Sequence, residues 1–569
     1  MRCLWIDRGS ASLRNVMVCL GLTACGGDDV PTENDSSSEG GSSSDTASSA
    51  TVNPTTTAVD ESSSSGASTD GSESESGTGT GPSGPDVRVL FEPDSIANDR
   101  PLDMVDIIDG VQSAPVTVIE TTGTATYERV GEHWLAVAAV ANAAVSVVDL
   151  ASASPPMTWL LDTPKAATNA RVVDTNADGS LWVVNSSDDT AADLHAHPIA
   201  DDGPGLPWHI DGDLDPTTSS GDVALVLGDT RVAFRAYDAD DGASIWLGPA
   251  RSDAPALEQL VQVPGVALFG PSVDGTGTGL VYRTGGVPTA AEQAWFVDLA
   301  SDPIGEPQPI TLLADKQSFG STRPAPDGSG VAMTQEGVED TVDLVWVPIE
   351  DGAPGTTALV STGALAGNAP FTPAWSPDSR WLAFASDEPR TLYVSRIDAG
   401  VPGEPIAVSE PGIAADVVPD FTADSSHGYY LTEQLGVTTV MRVPLAGDTP
   451  GEAQVVSAGL ERFQQYEITT SGDLLCYVGS EAFEDLLGAW CVDVSGDEPA
   501  APVRIDEGLD AEAEEEVVQV FLSDDGNYVL YAVGTDEGLR KVLVDRTTGV
   551  SMSLVDGETS GYSLLFGLR

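Results

Sequence analysis

The chain has 569 residues, and its 24 Lys plus Arg are outnumbered by 89 Asp plus Glu, which gives a formal net charge of −65. A surface this acidic repels phosphate backbones and anionic headgroups, so we expect no nucleic-acid partner and we expect attraction to cations or basic surfaces. Adaptation to a salty or dilute extracellular medium is the alternative explanation of the charge. No apolar run reaches the length of about 18 residues that a transmembrane helix requires.

Residues 1–24 have the layout of a secretory signal. Arginines precede a short apolar run, which ends in Leu-Thr-Ala-Cys at residues 22–25. A basic region, an apolar region and small residues before a cleavage point are typical of export signals. The four residues ending at Cys25 resemble the lipobox of bacterial lipoproteins, in which the cysteine is lipidated and becomes the first residue. The resemblance implies a lipid anchor on Cys25; an ordinary secretory signal with a chance cysteine is the alternative.

Residues 25–86 are predicted to form a disordered linker. They consist mainly of Ser, Thr, Gly, Asp and Glu, with almost no large apolar side chain. Such a segment cannot bury enough apolar surface to offset the entropy lost on ordering. A flexible chain of about 60 residues has a root-mean-square reach of roughly 40–45 Å, so the linker would let the following domain sample space well away from a membrane.

A repeated unit fills the rest of the chain, residues 87–569. Each copy has a turn rich in Asp and Gly followed by an apolar strand, and successive turn aspartates lie 45 to 53 residues apart. These markers are Asp178, Asp229, Asp274, Asp327, Asp378, Asp424, Asp473 and Asp525, with a weaker copy before them at Gly131-Glu132. A period of this size with about four strands per unit is typical of β-propeller blades.

We therefore predict an all-β propeller of about eight four-stranded blades, with seven or nine also compatible with the pattern. Central strands packed on both faces should be almost continuously apolar, as are residues 381–385 and 529–533. The Asp-Gly pairs should supply the positive φ that tight hairpin turns require. The tail at residues 562–566 and the weak first unit are expected to close the ring.

The units with Pro-Asp-Gly or Pro-Asp-Ser at their turns resemble the WD40-like repeat of TolB-type propellers. In that family a strand ending near Trp-Ser-Pro-Asp-Gly leads into a strand of the Ile-Ala-Phe kind. The best copy here is Ala-Trp-Ser-Pro-Asp-Ser-Arg-Trp-Leu-Ala-Phe at residues 374–384, followed by residues 323–328. TolB also has an α/β domain, and this sequence shows no such helical segment. The resemblance therefore implies a fold, and TolB's partners are not carried over.

Cys476 and Cys491 are the two cysteines within the repeat region. They fall on strands predicted to be neighbours in one blade. An even pair of cysteines in an exported domain favours a disulfide, with two unlinked buried thiols as the alternative.

Three groups of residues are candidate metal ligands. Asp174, Asn176 and Asp178 have the alternating oxygen atoms of a calcium loop, but the same residues also serve turn geometry, and the twelfth position is Asn185 instead of an acid. A second acidic cluster lies over residues 211–215. His195 and His197 alternate on a predicted strand, and we favour a solvated blade edge over a metal site for them.

The sequence predicts no catalytic residue, because it lacks the short motifs of zinc peptidases, α/β-hydrolases and P-loop enzymes. We therefore expect a lipid-anchored protein of the cell envelope, at the outer membrane, cell surface or periplasm, whose propeller binds a protein or glycan. Calcium is the one cofactor that the residues suggest. A propeller lyase or glycosidase with carboxylates in its central funnel, and a purely structural envelope protein, are the alternatives.

Overall fold

The computed structural model describes residues 87–93, 101–120, 125–130, 133–139, 144–152, 156–161, 169–176, 179–187, 192–200, 203–211, 214, 219–227, 230–238, 242–251, 256–263, 267–285, 292–311, 316–337, 341–361, 365–366, 373–387, 390–411, 414–506, 509, 515–535 and 538–567. The regular structure of these residues is β-strand. Within them, no helix has the length and apolar character needed to cross a membrane.

Four strands stand at the N-terminal end of the described chain: β1 (Val87–Pro93), β2 (Leu102–Ile108), β3 (Val111–Gln112) and β4 (Val116–Ile119). Blade 1 consists of β5 (Ala125–Val130), β6 (Trp134–Ala139), β7 (Ala144–Asp149) and β8 (Met157–Leu160). Blade 2 consists of β9 (Asn169–Thr175), β10 (Leu181–Ser187), β11 (Ala192–Ala200), β12 (Gly203–Pro204) and β13 (Trp208–His209). Blade 3 consists of β14 (Ser219–Leu227), β15 (Arg231–Asp238), β16 (Gly242–Pro249) and β17 (Glu258–Val263).

Blade 4 consists of β18 (Ala267–Val273), β19 (Gly279–Gly285), β20 (Gln293–Asp298) and β21 (Gln308–Ile310). Blade 5 consists of β22 (Lys316–Pro324), β23 (Gly330–Gly337), β24 (Thr341–Glu350), β25 (Ala353–Pro354), β26 (Ala358–Leu359) and β27 (Leu365–Ala366). Blade 6 consists of β28 (Ala374–Trp375), β29 (Trp381–Asp387), β30 (Arg390–Asp398), β31 (Val401–Pro402) and β32 (Ile406–Ala407).

Blade 7 consists of β33 (Ala414–Phe421), β34 (His427–Gln434), β35 (Val437–Pro444) and β36 (Gln454–Val455). Blade 8 consists of β37 (Arg462–Ile468), β38 (Leu474–Ser480), β39 (Gly488–Asp493) and β40 (Val503–Arg504). Blade 9 consists of β41 (Glu516–Leu522), β42 (Tyr528–Thr535), β43 (Gly538–Asp545) and the first part of β44 (Val550–Gly567). Pairing within every blade is antiparallel.

A tenth blade, which we call the closing blade, is assembled from both ends of the described chain. The end of β44 pairs with β1, with Leu565 opposite Val89, and β1 pairs in turn with β2. The strand β44 thus leaves blade 9 and becomes the first strand of the closing blade. The prediction that the C-terminal tail closes the ring is confirmed, but the expected part of the weak first unit in this closure is wrong, because that unit is blade 1 and the tail pairs with β1.

The propeller fold is confirmed, but the blade number of about eight is wrong, because the structure contains ten. The nine turn units of the sequence correspond to blades 1 to 9, including the weak copy in blade 1. The closing blade has no hairpin between its first and second strands, since these come from opposite ends of the chain. It therefore contributes no turn marker to the sequence pattern.

Neighbouring blades pack face to face because their sheets are apolar on both sides. In β29, Leu382 belongs to a core shared with blade 5, whereas Trp381 and Ala383 belong to a core shared with blade 7. All three side chains are fully buried, as predicted for central strands. Similar cores join each neighbouring pair around the ring, including both neighbours of the closing blade. No blade could bury both of its faces alone, so the stack must close.

The turns between the first and second strands of blades 4 to 9 form a feature that we call the turn belt. The N–H of Asp327 donates to Ser379 Oγ of the next blade at 3.0 Å, and the N–H of Asp378 donates to Ser425 Oγ at 3.0 Å. Both serines have φ of 60°, where blade 5 has Gly328 with φ of 73°. Glycine at these positions has the predicted positive φ.

The aspartates of the turn belt fix the turns that carry them. Each carboxylate accepts a hydrogen bond from the backbone N–H two residues further on, which is an Asx turn. These residues are Asp274, Asp327, Asp378, Asp424 and Asp525. Because equivalent turns of a ring of blades lie on one side of it, the belt places a row of carboxylates on one face.

Buried polar residues join the closing blade to blade 1. Arg88 is fully buried, and its Nε lies 2.7 Å from Asp106 Oδ1. The Arg88 Nη1 also donates to the carbonyl of Leu150 in blade 1. Glu92 of β1 accepts a hydrogen bond from the hydroxyl of Tyr127 in β5. The ring closure is thus held by charge-assisted hydrogen bonds as well as by apolar packing.

A buried lysine, Lys541 of β43 in blade 9, lies next to strand β1 of the closing blade. Its Nζ lies 5.9 Å from the centre of the Phe91 ring, and the side chain is fully buried. Burial lowers the pKa of Lys541 to about 7, although the nearby Glu92 acts in the opposite direction. The protein therefore folds more favourably when this amine is neutral.

We expect the free energy of unfolding to rise by about 2 kcal/mol between pH 7 and pH 9. In this interval the unfolded lysine keeps its proton, while folded Lys541, with its pKa of about 7, releases it. The unfolded state thus binds more protons, so stability increases with pH. Urea denaturation at pH 7, 8 and 9 measures the slope, and Lys541→Met should abolish it. An unchanged slope in this variant would contradict the assignment to Lys541.

Above pH 10 the trend should reverse. Burial raises the pKa of Tyr429 and that of Tyr531 to about 12, so the unfolded tyrosines ionise first and stability falls as pH rises.

Candidate functional site

The predicted cysteine pair lies in blade 8, on the side that packs against blade 9. Cys476 of β38 is directly opposite Cys491 of β39, and the two form a disulfide. Both side chains belong to the apolar core shared by these blades. The bridge therefore fastens the two central strands of blade 8.

Removing this disulfide by Cys476→Ala with Cys491→Ala should lower the free energy of unfolding by roughly 3 kcal/mol, because the bridge closes a loop with a sequence separation of 15. Urea denaturation of the parent with and without reductant gives an independent measurement. The parent in reductant should unfold near the midpoint of the double variant. Equal midpoints for oxidised and reduced parent would show that the bridge contributes nothing to stability.

The predicted lipid site and part of the predicted calcium loop, Cys25 and Asp178, lie outside the described residues. Asp174 lies in β9, opposite Val183 of β10. Asn176 follows the strand, and its Oδ1 accepts the N–H of Leu181 at 2.8 Å. This bond closes the hairpin between β9 and β10. The contact favours the turn-geometry alternative for Asn176, and calcium binding here stays a prediction.

The sequence predicts a solvated blade edge for the histidines of β11, and the structure shows that this prediction is wrong. His195 and His197 are both 1% exposed. The strand β11 is the third of blade 2, so β10 covers one side of it and β13 covers the other. The expectation failed because the sequence does not show that a two-residue strand pairs with β11, which makes β11 an internal strand of the blade instead of its edge.

A cluster of three potential metal ligands forms around His195. We call Asp193, His195 and His209 the histidine cluster. His195 lies opposite His209 in the pairing of β11 with β13, and the two rings stack with centroids 4.8 Å apart. Asp193 is two residues before His195 and so lies on the same face of β11. One ligand atom from each residue lies within 4.8 Å of the others.

An acidic residue holds the outer histidine of the cluster in place. Asp211 Oδ1 lies 3.0 Å from His209 Nε2 and also accepts the N–H of Leu194 at 3.1 Å. Asp211 is buried, whereas the His209 side chain is 48% exposed. Burial, with a smaller effect from His195, lowers the pKa of His197 to about 4, so this imidazole is neutral at physiological pH.

Sequence reasoning did not group these residues. Asp193 and His195 are separated from His209 by β12 and its turns, and the pairing of β13 with β11 could not be predicted from two residues. The only local signal is the alternation Asp-x-His-x-His beginning at Asp193. Asp211, which belongs to the acidic cluster noted in the sequence over residues 211–215, contacts His209.

Two polar side-chain pairs join different blades at or next to their first strands. First strands of neighbouring blades approach each other. Arg129 of blade 1 lies 2.6 Å from Asp524 of blade 9, across the closing blade. The hydroxyl of Tyr466 in β37 donates to Asp420 in β33. None of the described first strands carries a histidine.

No protein-family model matches the sequence, and no curated protein matches it. Solved structures with a similar fold include TolB from Acinetobacter baumannii, which is 11% identical, with 68% of this chain and 83% of that chain covered and a TM-score of 0.26. A eukaryotic initiation factor is 9% identical, with 84% and 98% covered and a TM-score of 0.47. A dihydro-heme d1 dehydrogenase is 13% identical, with 86% and 78% covered and a TM-score of 0.36. The β-propeller fold of the chain follows from its strand pairing, and no residue role is transferred from these proteins.

Proposed function

We propose that this protein is an extracytoplasmic lipoprotein whose propeller binds a protein or glycan partner. Its lipid anchor would be on Cys25, and the linker over residues 25–86 would carry the propeller away from the membrane. Sequence features support the anchor: a basic and apolar leader, small residues before the cysteine, and a polar segment directly after it. Bacterial lipoproteins that it resembles carry two or three acyl chains, and more than one chain is needed for stable anchoring.

The turn belt is the observation that best supports a binding role. Its exposed carboxylates belong to blades 5, 6, 7 and 9 and are fixed by Asx turns, so they form a rigid acidic surface. A rigid scaffold that presents loops from many blades offers a broad contact area. With a net charge of −65 over the whole chain, the partner should present cationic groups to this face.

The anchor can be tested by expressing the full chain in a bacterial host with a metabolic acyl-chain label. The parent should incorporate label and fractionate with membranes. Cys25→Ala should lose the label and leave the membrane fraction, while Cys19→Ala, a change within the predicted signal, should keep both properties. Equal labelling of Cys25→Ala and the parent would refute lipidation at Cys25.

The binding face can be tested by capture from envelope extracts with the full-length protein. Asp327→Asn, Asp378→Asn and Asp525→Asn remove charge together, yet the amide oxygen can still accept the hydrogen bond of each Asx turn. We expect the triple variant to unfold like the parent but to capture less partner, and we expect added salt to weaken capture by the parent. A folded parent that captures no partner, or capture insensitive to both changes, would refute the proposal.

A further inference from the structure

We infer that Asp193, His195 and His209 form a zinc-binding site on blade 2. The three residues supply two imidazole nitrogens and one carboxylate oxygen, with one ligand atom of each within 4.8 Å of the others. Tetrahedral Zn²⁺ with bonds of about 2.0–2.1 Å holds its ligand atoms roughly 3.4 Å apart. Modest rotations of the half-exposed His209 and the partly buried Asp193 would bring the atoms to that spacing.

The backbone supports this arrangement independently of the side chains. His195 and His209 lie directly opposite each other in an antiparallel pair, so their Cβ atoms are fixed close together on one face. Asp193 shares that face because it lies two residues from His195 along β11. A metal ion at this position would link the third strand of blade 2 to the two-residue strand β13.

Asp211 provides a second observation that points to a metal. Metal-binding histidines usually donate their other ring N–H to a carboxylate or carbonyl, which orients the ring and raises its basicity. With Nε2 of His209 donating to Asp211 at 3.0 Å, the imidazole lone pair resides on Nδ1, the nitrogen that would bind the ion. Asp211 is itself held by the N–H of Leu194 on β11.

The donor set selects the kind of ion. Imidazole nitrogen suits zinc and other late transition metals, whereas calcium and magnesium prefer oxygen donors alone. Three protein ligands leave a fourth position for water or another small ligand. That position would lie on the side of His209, because His209 is the exposed member of the cluster and His195 is 1% exposed.

The test must separate this site from weak binding to the acidic surface. We would dialyse the full-length protein against micromolar Zn²⁺ with millimolar Ca²⁺ and Mg²⁺, which occupy surface carboxylates, and measure bound zinc by elemental analysis. One Zn²⁺ per chain is expected. His209→Ala, a change at an exposed side chain, should abolish stoichiometric binding, while His133→Ala in blade 1 should leave it unchanged. Asp211→Asn should keep the stoichiometry and weaken the affinity by about 10–100-fold.

Binding of Co²⁺ offers a readout that does not depend on counting ions. Tetrahedral Co²⁺ with nitrogen and oxygen ligands absorbs visible light more strongly than the hexa-aqua ion, so the parent should gain a visible band that His209→Ala and Asp193→Asn lack. Circular dichroism of each variant checks that it is folded. Equal zinc content in folded parent and folded His209→Ala, or no zinc retained by the folded parent, would overturn the inference.

Discussion

Replacing Arg88 with methionine is expected to lower the free energy of unfolding by about 4 kcal/mol, which is typical of removing one partner of a buried ion pair. The guanidinium is fully buried and interacts with Asp106 through two nitrogens. Its loss would leave the Asp106 carboxylate, which is 2% exposed, without its cation. It would also remove the hydrogen bond to Leu150 that connects the closing blade to blade 1.

Two further variants identify the cause of the loss. Arg88→Met with Asp106→Leu removes both charges and should recover much of the stability, because replacing a buried pair by apolar residues is often neutral or stabilising. Arg396→Met removes the arginine that pairs with the exposed carboxylates of Asp398 and Asp448, and this variant should unfold at nearly the same urea concentration as the parent. If Arg88→Met also unfolded like the parent, the proposed role of the buried pair in ring closure would be wrong.

Local sequence signals predicted the repeating part of the fold. Eight turn aspartates and one weaker copy mark nine blades. In five of the described turns the carboxylate helps to close its own hairpin, as the bond from the Arg380 N–H to Asp378 shows. Apolar runs such as residues 381–385 follow from burial on both faces of a blade. These signals arise within one unit, so they can be recognised without knowledge of the rest of the ring.

Features that depend on distant parts of the chain could not be predicted in the same way. The closing blade combines β1 with the end of β44, and neither strand alone reveals that it belongs to a tenth unit. The histidine cluster depends on β13, whose two residues carry no strand pattern. Asn176 illustrates the converse case, since its residue type fits both a calcium loop and a turn, and its bond to Leu181 favours the turn without testing calcium binding.

The first strand of the described chain, β1, takes part in two interfaces of the closing blade. Alternate residues of β1 pack on opposite neighbours: Leu90 belongs to the core shared with blade 1, whereas Val89 and Phe91 belong to the core shared with blade 9. The pairing of β1 with β44 positions both sets at once. A strand that supports two interfaces has a larger effect on stability than any single side chain within one interface.

Deleting residues 560–569 should therefore reduce stability by more than about 5 kcal/mol, which is comparable with the whole stability of many domains. The deletion removes the partner of β1 along Val87 to Phe91 and leaves an exposed strand edge. We expect the truncated chain to aggregate or to show no cooperative urea transition by circular dichroism. Deleting only residues 568–569, which lie beyond β44, should have little effect.

Adding the missing strand in trans distinguishes ring opening from general misfolding. A peptide of residues 556–569, mixed with the truncated protein, should restore the cooperative transition, because β1 offers the same backbone hydrogen-bonding groups to a separate strand as to the covalent one. A truncated chain that unfolds like the parent without the peptide would show that the other blades close the ring unaided, and the role assigned to β44 would be refuted.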